Sequence, residues 1–255
     1  MSTTSTAAPA LTRVLAQGRF ETIAMLKNGE QLMLNIAFPI MGLLAMAYTG
    51  FLDPWATRYG VSRLDIAVPG VLALCVLSTA LSGQGIATGF DRRYGVLRFI
   101  STTPLGKGGL VAGKVFAVLS VLLLQYLLVG ALGQLLGWEA TVPGILMSLP
   151  TLLLGAACFT SLGLLIAGTV RAEATLAIVN MAWVLLAAAG GTLIPTDRYP
   201  TWLAPLIDLL PSAALGNALR GDFIHHTFLP LPHLILVIAT ALFAALATRF
   251  FKWSA

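Results

Sequence analysis

The chain is expected to fold as an all-α polytopic membrane protein. It should have six transmembrane helices, an N-terminal interfacial amphipathic helix, and short re-entrant outer helices before the last span. Three observations predict this. Of the 255 residues, 58% are hydrophobic and only 10% charged, with a mean hydropathy of +0.89, whereas a soluble domain carries roughly 25% charged residues. Six apolar runs are each long enough to cross a hydrocarbon core about 30 Å thick. Lysine and arginine, finally, are shared unequally between the segments that join those runs.

Residues 1–31 read as a cytoplasmic N-terminus carrying the interfacial helix, and residues 32–255 as the six-helix unit. In the first segment Leu11, Val14, Leu15, Gly18, Met25 and Leu26 fall on one helical arc, as in a helix lying in the membrane interface. Phe20 and Ile23 lie off that arc. No compact apolar stretch with a small-residue cleavage site precedes it, so the first span is expected to act as its own insertion signal.

The spans are placed near Leu32–Phe51, Ile66–Ile86, Leu110–Leu136, Val142–Gly168, Thr175–Ile194 and Leu231–Phe250, with Pro39, Pro69, Pro143 and Pro150 as sites of kinking. With the N-terminus inside, the inner segments hold Arg13, Arg19, Lys27, Arg92, Arg93, Arg98, Lys107, Lys114, Arg171, Arg249 and Lys252. The outer segments hold Arg58, Arg63, Arg198 and Arg220. Eleven against four satisfies the positive-inside rule and puts both termini in the cytoplasm of a plasma (cell inner) membrane protein. The same distribution explains the pI near 9.6 as loop anchoring and excludes a nucleic-acid partner.

Two connecting segments carry pattern. In the inner loop 87–109, Phe90, Tyr94 and Leu97 share one helical face and Arg92 projects opposite, with a helix expected to stop before Pro104. An ordinary basic loop is the alternative. In the outer segment 195–230, Leu203, Leu206, Ile207 and Leu210 form one stripe. Leu215, Leu219 and Phe223 form another, with Ser212 as N-cap. Two short helices dipping into the outer leaflet fit this better than a solvated loop.

Catalytic chemistry is missing. There is no Walker A pattern, and Gly106-Lys107-Gly108-Gly109 reads as a flexible turn; neither H-E-x-x-H nor G-x-S-x-G occurs. His225, His226 and His233 lack the spacing of a metal site, and Cys75 and Cys158 read as buried apolar residues. Asp53, Asp65, Glu139 and Glu173 fall at helix ends or in loops, so the interior offers no ionisable group for a secondary carrier. Asn35, Gln84, Gln125, Gln134 and Asn180 are neutral polar residues within spans, suited to interhelical hydrogen bonds. Asn35, Gln125, Tyr126 and Asn180 are also the candidates for lining a substrate pathway. Gly133 and Gly137 form a short small-residue motif for helix packing. The chain reads as a transport body whose energy comes from a partner, with a non-transporting membrane scaffold as the alternative.

Two runs carry a family resemblance. Asp91-Arg92-Arg93-Tyr94-Gly95-Val96-Leu97-Arg98, followed by Thr103-Pro104-Leu105 and Gly113-Lys114, resembles the loop pattern of the ABC-2 transporter permeases. Ile194-Pro195, Tyr199-Pro200, Leu210-Pro211 and Ala218-Leu219-Arg220-Gly221 are similar to that family's stretch before the last helix. The resemblance implies a coupling helix that docks on an ATPase through Phe90, Asp91, Arg92, Arg93, Tyr94 and Leu97. It implies two separate ATPase subunits carrying ATP and Mg, and a second permease, identical or related. This chain itself would then bind no cofactor. Family members often carry glutamate near positions 93 and 98. Arginine at both resembles the daunorubicin-resistance type of drug-export permease.

Overall fold

The computed structural model describes residues 8–252; the first seven residues of the N-terminal unit lie outside them. Among the described residues every regular element is helical. At the centre lies a continuous helical span, Arg63–Arg93, of 31 residues. It comprises α4 (Arg63–Val76), a π-helical stretch (Leu77–Gly83) and α5 (Gln84–Arg93). It begins at a capping box, in which Ser62 Oγ accepts from the Asp65 amide and the Asp65 carboxylate accepts from the Ser62 amide. At about 1.5 Å per residue the span is roughly 46 Å long, so it outruns the hydrocarbon core. That is why it exceeds the Ile66–Ile86 expected from hydropathy.

Around this axis stand α2 (Gly29–Tyr48), α7 (Gly106–Leu135), α8 (Val142–Thr169), α9 (Ala172–Ala189) and α12 (Pro230–Phe250). Among the described residues five helical stretches are long and apolar enough to cross a membrane. The sixth crossing exists only if Asn35–Tyr48 is counted with Gly50–Tyr59, which turns off by 70°. The first span thus stops at Tyr48, before Phe51. A 3₁₀ turn (Gly50–Leu52) and α3 (Asp53–Tyr59) follow. α9 also ends early, at Gly190 and the left-handed Gly191 (φ 70°), so Ile194 belongs to the outer segment.

Small residues let the central helices approach closely. A Cβ on Gly163 of α8 would sit 2.9 Å from the Leu81 carbonyl oxygen, and one on Gly85 would sit 3.4 Å from Gly163 Cα. Gly133 packs beside Trp138 and Val68, whereas Gly137 adopts φ 98° just beyond the end of α7. Of the expected Gly133–Gly137 packing motif, Gly133 does let α7 approach Val68 of α4, whereas Gly137 serves the helix end, a role that positive φ suits. Cys75 and Cys158 are free thiols in the apolar core, as expected.

α1 (Ala10–Lys27) runs alongside the opening turns of α7 in the same direction. Val14 lies by Gly109, Gln17 by Gly113 and Gly18 by Phe116, while Met25 clusters with Ala117 and Val121. The expected apolar arc is split. Gly18 and Met25 turn inward with Glu21, whereas Leu11, Leu15 and Leu26 are exposed beside Phe20 and Ile23. The seam is mixed in polarity because a buried charge, Lys114, lies across it.

The outer segment is built as expected in outline. α10 (Ala204–Asp208) leaves Leu206 and Leu209 exposed; α11 (Pro211–Arg220) and a π-helical turn (Gly221–His225) bury Leu215, Leu219 and Phe223. Ser212 is not the N-cap. Leu210 takes that position, and Ser212 Oγ donates to the Gly190 carbonyl (2.8 Å). Trp55 Nε1 (2.7 Å) and Arg58 (2.9 Å) on α3 both reach Asp197, tying α3 to the outer segment.

Candidate functional site

The inner loop is not one helix. α5 ends at Arg93, Gly95 takes φ 77°, and α6 (Val96–Ser101) starts afresh. The residues expected to share a face therefore separate. Leu97 is fully buried with Ile100 and Leu110, whereas Tyr94 is 73% exposed and stacks on half-buried Phe90 at 6.1 Å. The helical stretch does stop before Pro104, as expected. Gly106-Lys107-Gly108-Gly109 is not a free turn but the first turn of α7, with Gly106 at φ 70°.

The charged residues of the loop also divide. Arg92 is buried and donates from Nη1 to the Ala167 carbonyl at 2.7 Å, in the last turn of α8. A cation there satisfies a carbonyl at a helix C-terminus and complements the helix dipole. Arg93 pairs at the surface with Glu173 in the first turn of α9. Asp91 lies 3.4 Å from Lys114 Nζ. Lys114 in turn is wholly buried, 3.0 Å from Glu21 and 3.4 Å from Gln84 Oε1. The loop is fastened at its other end as well, where Arg13 donates to the Pro104 carbonyl. What remains open is a patch of Tyr94, Val96, Arg98 and Phe99.

Hydropathy reasoning missed the Glu21–Lys114–Asp91 cluster. Lys114 counts there among the inner-segment charges and Asp91 among the ATPase-coupling residues, and Glu21 carries no reading. The available signal was a lysine eight residues into a helix that has no compensating acid of its own nearby.

The second candidate region is a cleft of about 370 Å³ between α2, the π-helical stretch and α9. Asn28, Asn35, Ser78, Ser82 and Asn180 give it polar points, and Phe38, Ile86, Leu176 and Trp183 give it apolar walls. Ser78 and Ser82 both lie on the π-helical stretch, four residues apart. Trp183 Nε1 donates to Ser78 (3.0 Å) and Ser82 Oγ donates to Asn180 Oδ1 (3.3 Å). π-Helical turns inside α-helices recur at functional sites. Of the four expected pathway residues, Asn35 and Asn180 line this cleft. Gln125 lies behind it, donating to the Asn35 carbonyl (2.8 Å) and accepting from Thr79 (3.0 Å). Tyr126 is elsewhere, 3.0 Å from Ser148. Among the described residues no group of three or more His, Cys, Asp or Glu side chains is arranged to hold a metal.

Comparison with known proteins agrees with this architecture. Residues 12–224, from α1 to the outer segment, match the model of the ABC-2 type transporter family. Among curated proteins there is no match. A helical, multi-pass chain with a fastened inner loop, an amphipathic cleft and this family match belongs to the ABC-2 type transporter family, as a transmembrane permease component of an ABC transporter and not its ATPase.

Proposed function

We propose that the chain is the permease of an exporter that moves an amphipathic drug or lipid-like substrate outward across the plasma membrane. The cleft carries this reading. Its aromatic and aliphatic walls would bury the apolar body of a ligand while the Asn and Ser groups orient a polar end. Two permease subunits would enclose the pathway, each with α9 at its open side, where Leu176, Met181, Val184 and Leu185 are exposed. Two separate ATPase subunits carrying ATP and Mg would supply the energy.

The ATPase would dock on the patch of Tyr94, Val96, Arg98 and Phe99. Leu97 and Ile100 seat α6 on α7 from behind, and Asp91, Arg92 and Arg93 fix the C-terminal end of α5. Both termini and this loop would face the cytoplasm. The ends of the helices segregate accordingly: Arg58 and Arg220 lie with the outer segment, Arg92, Arg93 and Arg98 with the opposite end. The reading is tested by purifying the tagged protein, identifying copurifying ATPase subunits, and measuring substrate-stimulated ATP hydrolysis in vesicles. Asn180→Leu and Trp183→Ala should change the stimulating ligands without releasing the ATPase. A wild-type protein that retains no ATPase subunit would instead support a membrane scaffold.

A further inference from the structure

A buried polar chain lies at the outer end of the bundle, away from both regions described above. It joins three elements: Asp222 on the π-helical turn after α11, Thr151 on α8 and His233 on α12. Asp222 is 1% exposed, Thr151 fully buried and His233 5% exposed. Thr151 Oγ1 is 2.6 Å from Asp222 Oδ2 and 3.0 Å from His233 Nε2, and His233 Nδ1 is 2.8 Å from the Leu229 carbonyl. The other carboxylate oxygen, Asp222 Oδ1, is buried without a hydrogen-bond partner.

A carbonyl only accepts, so His233 Nδ1 must carry a hydrogen. The threonine hydroxyl has a single hydrogen to give, and its alternative acceptor, the Met147 carbonyl, is 3.4 Å away. If Thr151 donates to an ionised Asp222, His233 Nε2 must also be protonated in order to donate to Thr151. If Asp222 is protonated and donates to Thr151, the hydroxyl passes its hydrogen to a neutral His233. Both arrangements hold the same number of protons and sum to zero charge. Take that shared proton away, and Thr151 can satisfy only one of its two neighbours. The other contact becomes lone pair against lone pair, around a carboxylate that already has one orphaned oxygen. An unsatisfied buried group of this kind costs about 1–3 kcal/mol, and more when charged.

We infer that Asp222, Thr151 and His233 form a proton-binding site, and that the bound proton pins the re-entrant segment to α8 and α12. Burial pushes the Asp222 carboxyl above its ordinary range, against the lowering effects of the Thr151 bond and of His233, which agrees with proton retention. The other titratable groups nearby are engaged elsewhere. Tyr126 on α7 bonds Ser148, and His226 bonds the Asp222 main-chain carbonyl (3.1 Å). Arg220 on α11 turns to the carbonyls of Gly191 and Thr192. On α4, Arg63 pairs with Asp53 and Asp65 caps at Ser62. Phe228 packs on the His233 ring at 4.1 Å and closes the site.

The sign follows from linkage. A proton bound more tightly in the docked state stabilises that state at low pH and is lost as pH rises. Docking of residues 211–229 should therefore loosen on the alkaline side. The full-length protein in phospholipid nanodiscs is compared by hydrogen–deuterium exchange from about pH 5 to pH 9 as protection factors, which removes the intrinsic pH effect on exchange. In the wild type, protection of 211–229 should fall with rising pH by up to about tenfold per unit between the pH at which the undocked site gives up the proton and the higher pH at which the docked site does, and level off beyond it, as one linked proton requires. Asp222→Asn, which keeps the shape and cannot ionise, should abolish that slope, and so should His233→Gln. Protection independent of pH in the wild type would overturn the inference, as would a wild-type slope persisting in either folded variant.

Discussion

Lys114 offers the most discriminating test of how α1 is held. Its ammonium is completely buried, 3.0 Å from Glu21 and 3.4 Å from Asp91, and the Glu21 side chain is itself only 9% exposed. Lys114→Met keeps the length and removes the charge. Glu21 then faces only Gln17, whose Nε2 donates to it at 2.9 Å, and Asp91 loses its ion-pair partner. Breaking a buried pair by deleting one member typically costs about 3–5 kcal/mol, because the survivor stays uncompensated. Asp91 is 31% exposed and can be rehydrated, so the lower end, about 3 kcal/mol, is expected. Glu21→Leu with Lys114→Met removes both charges and restores apolar contact beside Met25 and Ala117. The double variant should therefore be less destabilised than the sum of the singles by about 2 kcal/mol. The assay is a double-mutant cycle on unfolding of the detergent-solubilised chain, with proteolytic release of α1 as a local readout. Additive single effects would refute the claim that this pair clamps α1 to α7.

Three further outcomes follow from particular contacts. Tyr94→Ala and Phe99→Ala remove side chains that are 73% exposed. They should leave thermal stability within about 0.5 kcal/mol while weakening ATPase capture in a pull-down. Arg92→Ala should do the reverse, costing about 1.5–3 kcal/mol through the lost charged hydrogen bond to Ala167, read as a lowered unfolding midpoint. Gly163→Val places a Cβ 2.9 Å from the Leu81 carbonyl. It should destabilise by about 1–3 kcal/mol, whereas Gly130→Ala, with open space around it, should not.

The helices were legible from sequence because length and apolarity are local properties. A run of residues without charges must satisfy its backbone internally when no water is present, and a helix is the single-segment way to do so. The same reasoning reached the stop before Pro104, the inward stripe of Leu215, Leu219 and Phe223, and the buried thiols of Cys75 and Cys158. It misjudged boundaries where one residue redirects the chain. Gly95 splits the inner loop, Gly190 and Gly191 end α9 early, and the bend after Tyr48 shortens the first span. Hydropathy averages over a window and does not register a single backbone turn.

The candidate sites were half legible. Asn35 and Asn180 were found as polar residues in apolar helices, and both reach the cleft. Gln125 and Tyr126 have the same signature and do not line it, because facing direction depends on which neighbour each helix packs against. The charged clusters were invisible for a related reason. Glu21, Asp91 and Lys114 are far apart in sequence, and each alone resembles a solvated loop residue. Asp222, Thr151 and His233 lie on three separate elements. By itself, then, the sequence determined that the chain must be helical and membrane-spanning, since that follows from how much apolar surface each segment carries. Only the tertiary structure decided which charges are buried together, because the stability of a buried charge depends on a partner supplied by another helix.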